Sequence, residues 1–177
     1  MGNWVELEKY KYQEIWDRFY NNFDFKPSVH RNDWPTYKVK EPYITYDISS
    51  IWNSTNFEEY EFKYKDLHQK ILESFIKCTT ENQIVYALDW MHTCYYFNPR
   101  LNFDCKLFEF ADGNKILRWN IEVLPNGDYY IFLADDFRWG LLGHPWEKSI
   151  CVFGKELIEE VNNNLPVVFD KVITSKL

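Results

Sequence analysis

The feature that most constrains the fold is a series of strand-like patterns between residues 84 and 154, with helical patterns before and after it. No helical pattern interrupts this series. Such segregation of strands from helices favours a mostly antiparallel sheet over a doubly wound parallel one. We therefore predict an α+β fold, a mostly antiparallel sheet with helices packed mainly on one face, in a single domain over residues 1–177. The strand-like segments are IVYALDW (84–90), CYYFNP (94–99), residues 117–123, DYYIFLA (128–134) and SICVFG (149–154), together with the earlier YITYDIS (43–49).

Three segments carry apolar residues at helical spacing. The first covers about residues 5–22, the second covers 64–78, and the third is KELIEEVNNN, which Pro166 ends. The polar, proline-containing residues 28–42 are predicted to form a loop.

Turn residues predict how the later strands connect. Pro125, Asn126 and Gly127 are typical of a tight turn, so residues 117–123 and 128–134 are predicted to form a hairpin. Residues 135–146, with an acidic pair and two glycines, are predicted to form a loop. Near the C-terminal end of this loop, Pro145 should hold His144 in an extended conformation.

Composition and charge narrow the class of partner. The chain of 177 residues has a net charge of −7 and 20% aromatic residues. The sequence contains no cluster of basic residues that would bind nucleic acid and no apolar core typical of a signal peptide. It also contains no apolar stretch long enough to span a membrane. We therefore expect a cytoplasmic protein that binds neither nucleic acid nor membrane, and whose acidic, aromatic surface suits a basic protein partner. A homo-oligomer is also compatible with this surface.

Four residues are candidates if the protein is an enzyme: Asp89, His92, Asp136 and His144. They would form a pocket between residues 89–96 and 135–146. If so, His92 and His144 should lie within about 8 Å of each other and converge on a cavity. No catalytic or metal-binding motif supports this interpretation, and the four cysteines lack a CxxC pair. We predict neither a metal nor a cofactor, and leave open whether the protein is an enzyme.

The aromatic surplus supplies candidate binding residues. Tyrosine and tryptophan are favoured at protein interfaces, whereas ordinary core packing accounts for most other aromatic residues. The candidates beside the predicted sheet are Trp90, Tyr95, Tyr96, Trp139 and Trp146.

Three segments taken together resemble a bacterial family, domain of unknown function 2716, found largely in low-GC Gram-positive bacteria. They are YALDWMHTCYYFNP (86–99), PNGDYYIFLADDFRWGLLGHPWE (125–147) and SICVFG (149–154), and WDRFYNNFDFKPS (16–28) resembles the family more weakly. The resemblance implies a bacterial cytosolic single domain, but no activity, substrate or catalytic residue.

Two hypotheses follow from the sequence. The first is a non-enzymatic protein-binding module, toxin-neutralising and immunity-like or regulatory by analogy with other small acidic domains of such bacteria. The alternative is a small enzyme or ligand-binding protein with a pocket of histidine, aspartate and aromatic residues.

Overall fold

A computed structural model describes residues 3–40, 42–102 and 104–177. Within these residues the chain forms three α-helices and ten strands. In order, they are β1 (Val5–Glu6), α1 (Lys9–Phe23), β2 (Tyr43–Asp47), α2 (Phe57–Cys78), β3 (Val85–Asp89), β4 (Tyr95–Phe97), β5 (Lys106–Glu109), β6 (Lys115–Arg118), β7 (Tyr130–Ala134), β8 (Gly140–His144), β9 (Ser149–Phe153), α3 (Lys155–Asn163) and β10 (Lys171–Lys176).

The main sheet has eight strands in the order β1-β4-β3-β7-β8-β9-β2-β10. All of its neighbouring strands pair antiparallel, and β5 and β6 form a separate antiparallel pair. The predicted α+β fold with a mostly antiparallel sheet is confirmed.

Each face of the sheet packs against helices and forms a core of its own. Successive strand residues point to opposite sides and therefore belong to different cores. On β7, Phe132 belongs to the core that α2 and α3 cover, whereas Ile131 and Leu133 belong to the core that α1 covers. Two of the three helices therefore share one face, as predicted, and α1 covers the other. Its stripe of Trp16, Phe19 and Phe23 supplies the apolar surface for that second layer.

The first two helices start at residues other than those predicted. Helix α1 begins at Lys9, because Val5 and Glu6 pair with β4 as a short edge strand. Helix α2 begins seven residues earlier than Tyr64, at Phe57. The Asn56 side chain accepts a hydrogen bond from the Glu59 amide at 2.9 Å and so caps the helix.

The predicted hairpin between residues 117–123 and 128–134 is wrong. Strand β6 pairs with β5, and β7 pairs with β3 and β8. Residues 119–124 instead pack into the core, with Trp119 and Ile121 buried, and this burial produces the alternation that resembled a strand. Only the turn character of Gly127 survives, with φ at +96°.

Strand β8 lies where the sequence predicts a loop. Its sequence, GLLGH, contains two glycines because it runs very close to β7. A Cβ on Gly140 would collide with the Phe132 carbonyl oxygen, and one on Gly143 would lie 2.9 Å from the Tyr130 carbonyl oxygen. Strand β10, also unpredicted, forms an exposed edge. No helix in the three described stretches is long and apolar enough to cross a membrane.

Candidate functional site

The β7–β8 hairpin separates the residues that the sequence grouped into one loop. Asp136 lies in the turn that joins the two strands, whereas His144 ends β8. The strands between them span roughly 15 Å at about 3.4 Å per residue. We call residues 135–138 the turn end of the hairpin. The open end comprises residues 128–129 and 144–147 with the neighbouring 89–92, because Asp89 pairs with Tyr130 and Tyr130 pairs with Gly143.

At the turn end, the charged side chains form ion pairs and hydrogen bonds with other groups of the protein. The Asp136 carboxylate accepts a hydrogen bond from Arg138 at 2.7 Å, and Arg138 also reaches Glu156 at 3.1 Å. Arg18 donates to the carbonyl oxygens of Asp135 and Asp136. Burial alone would raise the pKa of Asp136, but the hydrogen bonds from Arg138 lower it below its ordinary value. Asp136 therefore serves as a structural ion-pair partner.

At the open end, His144 is fully buried and both ring nitrogens are engaged. Nδ1 accepts the Glu147 amide at 3.1 Å, which leaves the proton on Nε2, 3.4 Å from the Tyr129 hydroxyl. That hydroxyl donates to the Ser28 carbonyl and accepts from the Ser28 amide, each at 3.1 Å. Burial lowers the pKa of His144 to about 4. The neutral imidazole thus supports the Tyr129 hydroxyl, which ties the residue 28 loop to the sheet.

His92 lies between two carboxylates at the same end. Its Nδ1 is 3.1 Å from Asp89 Oδ1 and 3.5 Å from Asp128 Oδ2. The His92 side chain is 62% exposed, whereas those of Asp89 and Asp128 are about one-fifth exposed. Burial raises the pKa of both carboxyls, and the hydrogen bond with Asp89 raises the pKa of His92. One donor atom from each residue lies within 4.8 Å of the other two, a spacing that could hold a metal ion.

Sequence reasoning did not include Asp128 among the candidate residues. The residue lies two positions before β7, and the wrong hairpin placed that strand beside residues 117–123. The available signal was the similar buried character of β3 and β7. Pairing those two strands brings Asp128 to the β3–β4 turn that carries His92.

A row of three aromatic residues crosses the open end. The Tyr129 ring meets Trp90 edge to face with centroids 6.1 Å apart, and its centroid lies 5.3 Å from that of Trp146. Trp146 is 38% exposed. An open cleft of about 310 Å³ is lined by two members of the row, Trp90 and Trp146, whereas Tyr129 is buried behind it. Its lining consists of Pro27, Ser28, Val29, His30, Trp90 and Trp146.

The other predicted binding aromatics lie elsewhere. Trp139 is only 1% exposed and stacks on Phe75, so its prediction as a binding residue is corrected: it packs in the core. Tyr95 and Tyr96 lie on β4, on the far side of β3 from the hairpin, and are partly buried. Of the five aromatic candidates, Trp90 and Trp146 line the cleft.

The two candidate histidines do not converge on that cleft. His144 is enclosed by the rings of Trp34, Tyr129 and Trp146, while His92 faces solvent. Neither lines the cleft described above. The open end therefore combines a solvent-facing charged cluster with an aromatic row, supported from behind by a neutral histidine.

Comparison with known proteins places the chain in a family. Residues 6–158 match the model of the protein of unknown function DUF2716. The chain is similar to the uncharacterized protein YxiI of Bacillus subtilis (strain 168), with 36% identity over 172 residues, covering 96% of this chain and 98% of YxiI. No solved structure matches it significantly. The resemblance seen in the sequence is confirmed: the chain belongs to the DUF2716 family.

Proposed function

We propose that the protein is a non-enzymatic protein-binding module, immunity-like or regulatory, whose basic partner docks on the open end of the β7–β8 hairpin. One observation carries the proposal: Trp90 and Trp146 line one open cleft, and both contact the buried Tyr129 ring. Partly exposed tryptophans in such a setting are typical anchors of protein interfaces.

Two members of the aromatic row, Tyr129 and Trp90, are positioned by hydrogen bonds within the protein. Tyr129 is anchored through Ser28 and His144, and the Trp90 indole N–H donates to the Tyr20 hydroxyl at 3.1 Å. A prearranged surface loses less side-chain entropy on association, so more of the contact energy contributes to affinity.

Charge favours a basic partner. Asp89, Asp128 and Glu147 each adjoin a member of the aromatic row in sequence. The residues lining the cleft include no lysine or arginine. Cations stacked on rings within the described residues use other aromatic residues: Phe137, Phe108, Phe110 and Trp52. The tryptophan faces at the cleft can thus receive a cation from a partner, which the net charge of −7 would attract.

The engagement of His144 also supports binding over catalysis. A general base needs a nitrogen free to take a proton from substrate, and both nitrogens of His144 have partners inside the protein. The alternative hypothesis of an enzyme pocket used this histidine together with His92.

The test is quantitative affinity capture from the source organism with the wild-type protein and a Trp90→Ala/Trp146→Ala variant. Phe62→Ala is the control, because Phe62 is 61% exposed and lies on α2, away from the cleft. The partner's dissociation constant is then measured with purified proteins at low and high ionic strength.

We expect the double variant to bind about tenfold or more weakly, as loss of two interface anchors implies, and Phe62→Ala to bind like wild type. Higher salt should weaken binding mainly through the association rate. A partner that binds wild type and the double variant equally, or a captured partner that is acidic, would contradict the proposal.

A further inference from the structure

We propose that Asp89, His92 and Asp128 form a binding site for a divalent transition-metal ion, with Zn²⁺ as the best match. The sequence alone predicts no metal here, because the three residues do not share a recognised spacing. The fold brings them together from the end of β3, the β3–β4 turn and the residue two before β7.

The distances suit zinc coordination. Zinc binds imidazole nitrogen and carboxylate oxygen at about 2.0–2.2 Å, and tetrahedral angles then separate ligand atoms by about 3.3 Å. The distances from His92 Nδ1 to the two carboxylate oxygens, 3.1 Å and 3.5 Å, lie on either side of that value. Three protein ligands leave at least one position for water or for a group supplied by another molecule.

The chemical types of the three ligand atoms favour zinc over magnesium and calcium. An imidazole nitrogen suits Zn²⁺ and other transition metals, whereas Mg²⁺ and Ca²⁺ prefer oxygen atoms alone. Two carboxylates and a neutral imidazole carry a charge of −2, which balances a divalent ion. Asp89 is held by its pairing with Tyr130 on β7, and Asp128 is held by the hydrogen bond that its Oδ1 accepts from the Tyr129 amide at 2.8 Å, so little reorganisation is needed.

The competing state of the same residues is an ion pair. In it, a protonated His92 bridges the two carboxylates, and a proton occupies the place of the metal. The two states differ in what the imidazole nitrogen binds, so a metal titration separates them.

The experiment is calorimetric titration of the full chain with ZnCl₂ after chelator treatment and dialysis. His92→Gln and Asp128→Asn remove one ligand each, and Asp136→Asn is the control, because that carboxylate lies at the turn end and is paired with Arg138. We expect saturable one-to-one binding that both ligand variants weaken by about tenfold or more and that the control leaves within about twofold. Mg²⁺ should give no comparable heat.

A second measurement needs no variant and guards against misfolding. Paramagnetic Co²⁺, a substitute for zinc, should shift the ring signals of His92 in the wild-type NMR spectrum before those of His30, His68 or His144. The proposal is overturned if wild type shows no saturable Zn²⁺ binding, if the ligand variants bind as wild type does, or if His30 responds before His92. Partner binding is measured with chelator present, so either proposal can fail without the other.

Discussion

The two ends of the β7–β8 hairpin carry similar residue types and use them differently. At the turn end, Asp136 is paired with Arg138, and Arg18 caps the neighbouring carbonyl groups. At the open end, Asp128 faces a solvent-exposed histidine beside an aromatic cleft. The same carboxylate side chain is thus structural in one place and available in the other. Sequence proximity does not decide between these roles; the partners that the fold supplies do.

The largest expected effects concern the two glycines of β8, one near each end. Gly140→Ala should cost about 3 kcal/mol or more in unfolding free energy, because its Cβ would collide with the backbone of β7. Gly143→Ala should cost less, about 1–2 kcal/mol, since its contacts with Tyr130 and Pro125 are looser. Urea denaturation of both variants checks this. A larger loss for Gly143→Ala would reverse the predicted order.

Acid should destabilise the protein through its buried histidines. Burial lowers the pKa of His144 to about 4 and that of His68 to about 3 from an ordinary 6.5. The unfolded chain therefore takes up protons first, and stability falls as the pH drops from about 6.5 to about 4. The lowered pKa of His144 alone should reduce the free energy of unfolding by about 3 kcal/mol over this interval.

Comparing unfolding free energies of wild type and His144→Gln from pH 7.5 to pH 4 isolates that contribution. The variant should lose less stability than wild type across this interval. His92→Gln is the matched control, because Asp89 raises the pKa of His92, so its small contribution is present at low pH and lost as pH rises. Parallel pH profiles for wild type and His144→Gln would show that His144 is not held neutral.

At neutral pH, His144→Gln should itself cost about 2 kcal/mol. It removes a ring packed against Trp34 and Tyr129 and disturbs the hydrogen bond from the Glu147 amide. Thermal unfolding measures the loss, and hydrogen exchange should show faster opening of residues 28–34. Unchanged exchange in that loop would mean that His144 does not anchor it.

The smallest effect is expected at the turn end. Asp136→Asn removes the carboxylate of an exposed ion pair with Arg138 and should cost at most about 1 kcal/mol, because water screens such pairs. It should leave partner binding and zinc binding unchanged. A strong effect on either would place functional residues at the turn end.

The sequence predicted the architecture better than the site. Alternation and helical spacing were enough for the α+β class, the mostly antiparallel character of the main sheet and the last helix. They failed in two places where different structures give the same sequence pattern. The buried irregular chain at Trp119 and Ile121 has the alternating apolar residues of a strand. Strand β8 contains two glycines, which are typical of a loop, because it packs closely against β7. Strand pairing was therefore misassigned, and the approach of Asp128 to His92, which depends on the pairing of β3 with β7, was missed.

Site-specific photo-crosslinking in living cells of the source organism tests the central claim most directly. A photoreactive amino acid replaces Trp146 at the open end in one strain and Asp136 at the turn end in another. The account predicts that a basic protein is crosslinked from position 146 and not from position 136. Crosslinking of a partner from position 136 alone, or equally from both positions, would contradict the assignment of binding to the open end.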